Sequence, residues 1–125
     1  MKFTKEEKNK YFKNLRERWA TSKLLADKDK TVEALYNEVG GTFSYYSFYW
    51  TLMEMRSLDL EGVPYVDAKT FKGWKEAGFI VKKGEKSKLS GITWLAVKNK
   101  KGEETEFMIP KEYHLFHKSQ VEELK

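Results

Sequence analysis

Apolar positions recur at helical spacing through the first half of the chain and alternate, strand-like, through most of the second. Tyr11, Phe12, Leu15, Trp19 and Ala26 mark one face of a helix from about Lys5 to Ala26, opened by the capping-box pattern Thr4-Lys5-Glu6-Glu7. Its other side carries Lys8, Lys10, Lys13, Arg16, Arg18 and Lys23, the pattern of a solvated face. After a polar break at 27–30, Val32, Leu35, Tyr36 and Val39 predict a short helix over 31–39, stopped by Gly40-Gly41. The most aromatic run follows at 42–56, with Thr42 or Ser44 as its cap. Tyr45, Phe48, Tyr49, Leu52 and Met55 form the stripe assigned to the core, which leaves Tyr46, Trp50 and Met53 on a second face. Either both faces are buried, or Tyr46 and Trp50 form a platform on which nucleobases stack.

A loop over 58–64 precedes a short helix capped by Asp67 or Thr70, running through Phe71, Trp74 and Ala77 and stopping at Gly78. The apolar triplet Phe79-Ile80-Val81 leads into a basic turn at 82–88. Gly91 to Val97 is β-branched and aromatic, Asn99-Lys100-Lys101-Gly102 is a hairpin turn, and Glu104 to Ile109 returns as a strand that Pro110 ends. Tyr113 to His117 alternates as a third strand, and Ser119 or Gln120 opens a short tail. The expectation is one α+β domain over residues 1–125. Its N-terminal helices pack on a small antiparallel sheet containing a hairpin at about 91–109.

A chain of 125 residues with 40% hydrophobic and 15% aromatic side chains can bury one core. Without cysteine it has no disulfide, thiolate metal site or cysteine nucleophile. Its first residues lack the apolar stretch of a secretory signal and no run approaches a membrane span, so the expected compartment is the cytoplasm, without a membrane partner. His114 and His117, three apart in a strand, point to opposite faces, and no catalytic or metal-binding motif is present. The expectation is a non-enzyme with no metal or cofactor.

The net charge of +5 is unevenly spread. Residues 1–30 hold ten basic and five acidic side chains, residues 31–66 one basic and five acidic, and residues 67–125 thirteen basic and nine acidic. Within the last block, Lys69 to Lys101 contains ten lysines against Glu76 and Glu85. Such a field attracts polyanions, although a lysine-rich solvated surface produces it equally well. In Lys82-Lys83-Gly84-Glu85-Lys86, glycine permits a tight turn whose backbone N–H groups can cradle phosphate, with lysines at phosphate range.

The segments Thr70-Phe71-Lys72-Gly73-Trp74-Lys75-Glu76-Ala77-Gly78, Val81-Lys82-Lys83-Gly84-Glu85-Lys86 and Phe116-His117-Lys118-Ser119-Gln120, separated by one hairpin, resemble the N-terminal single-stranded-DNA-binding domain of ArdC-type antirestriction proteins. The specific match is confined to 70–87 and 116–120. The upstream glycine–asparagine stretch of that family is replaced here by the aromatic run around Ser47, and His117 stands where Asn or Asp is usual. Longer relatives continue into a metallopeptidase-like domain with an HExxH motif, which this chain lacks.

The resemblance implies non-catalytic binding of single-stranded DNA with little sequence preference, in antirestriction or DNA protection for a plasmid, phage or other mobile element. Lys82, Lys83, Lys86 and Lys88 are the expected phosphate contacts, assisted by Lys69, Lys72 and Lys75. Trp74 divides its surface between core and groove, Tyr46 and Trp50 are the candidate platforms, and Gln120 is a polar contact implied by the resemblance. RNA fits the same features. The competing reading is a protein-interaction module, an antirestriction or host-takeover factor acting through the acidic, aromatic segment 31–66.

Overall fold

The computed structural model describes residues 4–40 and 43–124. Helix α1 spans Lys5–Ala26, where the Thr4 hydroxyl accepts the Glu7 N–H at 3.1 Å. Helix α2, Lys30–Val39, starts one residue early because the Asp29 carboxylate caps Val32 N–H. Helix α3, Tyr45–Ser57, is capped by Ser44, whose hydroxyl accepts Ser47 N–H; the alternative cap Thr42, like Gly41, lies outside the described residues.

Two faces of α3 are aromatic because it is the central helix, covered on several sides. Phe48, Tyr49 and Leu52 pack with Ala26 and Val32 from α1 and α2. Trp50 packs with Leu15 and Ile92. Met55 joins Ala68, Leu89 and Leu115. The second aromatic face therefore belongs largely to the core.

Strand β1, Ala68–Lys69, precedes α4, Phe71–Glu76, which Thr70 caps through Gly73 N–H. Strand β2 is Phe79–Val81, β3 is Leu89–Lys98 and β4 is Glu104–His117. A 3-10 turn at Lys118–Gln120 leads into β5, Val121–Glu123. The strands form two sheets, not one: β1-β4-β3, and a separate antiparallel pair in which β5, from the segment read as a tail, lies beside β2, the apolar triplet.

Pro110 does not end a strand. β4 runs through it as one continuous element paired with β3 from Leu89↔Leu115 to Ala96↔Met108, so the hairpin extends well beyond 91–109. The register explains the tolerance. Ser90 and Ile92 send their N–H groups away from β4, to Glu54 and Ser47. By strand alternation the Trp94↔Pro110 pair also directs its N–H positions outward, so a missing donor there costs the ladder nothing.

The outer edge of β3 is covered by side chains of α3. Glu54 accepts Ser90 N–H at 2.8 Å, Thr51 donates to Ser90 O at 2.8 Å, and Ser47 accepts Ile92 N–H at 3.1 Å. Arg18 leaves the solvated face assigned to it. It lies 4.1 Å from the Trp50 ring centroid and reaches Glu54 and Glu112, clamping α1 onto α3 and β4.

Candidate nucleic-acid interface

The basic turn is built from beneath. Gly84 adopts φ 88°, in the left-handed region, with open space where a side chain would start, so the residue is required by backbone conformation and not by crowding. Glu85 N–H closes the turn on Lys82 O, and Lys82 N–H bonds to Gln120 O at 2.9 Å. The Gln120 side chain is 1% exposed. Its amide donates to Lys86 O at 2.7 Å and to Glu85 Oε2 at 3.3 Å, while its carbonyl accepts His117 N–H. His117, also buried, has Nδ1 against the Ser119 hydroxyl and Nε2 against Glu61 O. Gln120 is therefore unavailable as a ligand contact. It positions the turn.

Lys82, Lys83, Lys86 and Lys88 are all exposed on that support. Lys82 Nζ donates to Ser119 O at 3.3 Å, whereas Lys83, Lys86 and Lys88 make no ion pair among the described residues. On α4, Lys72 and Lys75 are exposed, Lys72 within 4.0 Å of Glu76. Lys69 is half-buried, its ammonium 5.2 Å from the Trp74 ring centroid.

The aromatic candidates fare differently. Trp74 is 5% exposed and donates its indole N–H to Phe116 O at 2.7 Å, so it ties α4 to β4 and offers no groove surface. Trp50 is 2% exposed, with its indole N–H on the Ser90 hydroxyl and Arg18 over its face. A ring so enclosed cannot serve as a stacking platform. Tyr46 is half-buried; its hydroxyl donates to Asp27 Oδ1 at 2.7 Å, its ring meets Trp19 edge-on, and Lys23 lies 5.6 Å from its centroid. The hydrogen bond to Asp27, followed by desolvation, raises the Tyr46 phenol above its ordinary range. Tyr46 thus contacts α1, while the lysine turn rests on residues 117–120, and no hydrogen bond, ion pair or ring contact links the two among the described residues.

Sequence reasoning missed Phe71. Placed on the short helix with Trp74 and given no role, it is 51% exposed, edge-on to Phe116 at 6.5 Å. The signal was available in the length of α4: a six-residue helix buries one large ring against β4 and leaves the other at its rim. Phe71 thereby supplies an accessible aromatic next to Lys72.

The imidazoles also separate, His114 exposed and His117 buried. Among the described residues, no three histidine or acidic side chains are grouped to hold a metal ion, and no helix is long and apolar enough to cross a membrane. Comparison of the chain with protein-family models, curated proteins and solved structures found no match.

Proposed function

We propose that this protein binds single-stranded DNA without catalysis, through the lysines of the 82–88 turn and of α4. The observation that carries the reading is the turn itself: four exposed lysines on a bend held in one conformation by a buried glutamine. Pre-ordering the backbone lowers the entropy lost when phosphates are engaged. Phe71 and α4 contribute an accessible ring and further cations. The likeness of 70–87 and 116–120 to the ArdC-type N-terminal domain supports the same reading and suggests antirestriction or DNA protection in the cytoplasm. Segment 31–66 is the weaker candidate for a protein interface, because its Phe48, Tyr49 and Trp50 are core residues and not surface anchors.

Fluorescence anisotropy with labelled oligothymidine, a duplex and an RNA of equal length, across a salt series, tests the proposal. Preferential single-strand binding that weakens steeply with salt is expected. The triple variant Lys82→Ala, Lys83→Ala, Lys86→Ala should lower the log–log salt slope by about two, from roughly 0.7 per phosphate contact. Absence of binding to all three probes at low salt would overturn the reading.

A further inference from the structure

A cavity of about 510 Å³ opens where the α3 cover of β3 stops. Buried Ser47 and Ile92 lie at its inner end, and exposed Ser44 and Thr93 at its mouth. Its walls are aromatic: Trp19, Trp94, Phe43, Tyr65 and Tyr113. Trp19 and Trp94 meet edge-to-face at 5.9 Å, and Phe43 stacks on Tyr65 at 4.0 Å. Among the described residues, none that lines the cavity carries a formal charge.

Three features suit it to a ligand rather than to further core. First, its polar groups are organised. Ser47 Oγ lies 3.1 Å from the Tyr65 hydroxyl and 3.2 Å from that of Tyr113, and the two phenols bond each other. Tyr65 reaches this cluster from a left-handed backbone at φ 66°, a conformation that costs a non-glycine residue about 1 kcal/mol or more. Tyr113 reaches it by lying flat over Gly91, where a Cβ would sit 2.3 Å from its ring. Second, the indole N–H of Trp94 is buried with no acceptor among the described residues. Third, strand alternation aims Ile92 C=O and Trp94 N–H at the same edge as Ile92 N–H, just beyond the last bond from α3.

We propose that this cleft receives one nucleobase, its ring between the aromatic walls and its polar edge on Ile92 C=O and Trp94 N–H. An acceptor and a donor two residues apart on one side of an extended chain complement the adjacent donor and acceptor of a base edge, such as adenine N6–H and N1. The neutral lining accepts a base and excludes a buried phosphate. Lys111, exposed and directly opposite Thr93, supplies a cation near the mouth for the phosphate that follows. The inference rests on the single-strand reading if the base is part of a strand; a free nucleoside would use the same chemistry.

The experiment titrates the full chain with adenosine and separately with oligodeoxyadenylate, following the Trp94 amide and indole resonances by NMR. Saturable shifts at Trp94 with both probes are expected. Thr93→Trp, which fills the mouth from an exposed strand position, should weaken both about ten-fold or more. The triple lysine variant should weaken the oligonucleotide alone. Trp19→Phe, which removes part of one aromatic wall while keeping a ring there, gives a second test if Thr93→Trp alters the circular dichroism.

Unmoved Trp94 resonances with adenosine, together with unchanged oligonucleotide affinity in Thr93→Trp or Trp19→Phe, would overturn the cleft and leave the lysine surface standing. Adenosine binding without added affinity for the oligonucleotide would uphold the cleft for a free nucleoside and overturn the strand reading.

Discussion

Gly84 and Gly91 answer the same added methyl in different ways. At Gly84 only the backbone resists, so Gly84→Ala should cost about 1 kcal/mol. At Gly91 the new carbon meets the Tyr113 ring, and displacing that ring also disturbs Ser47 and Tyr65, so Gly91→Ala should cost more than Gly84→Ala, up to about 3 kcal/mol. Urea unfolding of both variants checks this, and equal losses would contradict the packing argument. Glu54 supplies the pH-dependent prediction. Burial raises its carboxyl above the ordinary range, against the Ser90 bonds and Arg18, which lower it. A raised acid favours the fold while protonated and loses that contribution as pH rises through the folded value. Glu54→Gln should therefore gain stability relative to the native chain as pH rises above the ordinary carboxylate range, followed by urea midpoints; a parallel or falling difference would refute it. At this scale the sequence pointed to lysines that are exposed at 72, 75, 82, 83, 86 and 88, because charge keeps them in water, but Lys69 is half-buried against Trp74. It could not place Trp50, Trp74 or Gln120, whose burial depends on partners distant in the chain: Ser90, Phe116 and Lys86.

Among the elements, helices were legible nearly to the residue, since caps and apolar spacing are local. The strands were less so. Pro110 suggests a break, and its acceptance depends on which way N–H groups point relative to β3, a property of register that composition does not encode. The β2–β5 pair joins segments some forty residues apart and left no signal beyond the apolar triplet of β2, because β5 reads Val-Glu-Glu. One consequence concerns the lysine turn. Gln120→Leu leaves Lys86 O and His117 N–H without their partner and should cost about 1–3 kcal/mol in thermal unfolding. Faster amide exchange across 83–87 should accompany it, and unchanged exchange would show that the turn holds itself. A second consequence concerns the edge of β3. Ser90 and Ile92 amides, bonded to Glu54 and Ser47, should exchange slowly, and the Trp94 amide quickly.

For the molecule as a whole, binding and stability should come apart. The lysines at 82, 83 and 86 are exposed and none pairs with a carboxylate among the described residues, so their triple replacement by alanine should change unfolding free energy by no more than about 0.5 kcal/mol. A large loss of stability would mean that any lost affinity reports damage to the fold. The class of architecture was readable because helical spacing fills the first half of the chain and alternation most of the second, α4 apart. The candidate sites were readable only where charge marks them. The aromatic cleft was not, because it is assembled from α1, α3, the loop before β1 and both long strands. Finally, the border of the larger sheet is kept by Ser47, Thr51 and Glu54, not by a neighbouring strand. Three side chains thus act as a sentry against self-adhesion, and losing one would expose amides that a sister molecule can zip onto, visible as light scattering that climbs with concentration.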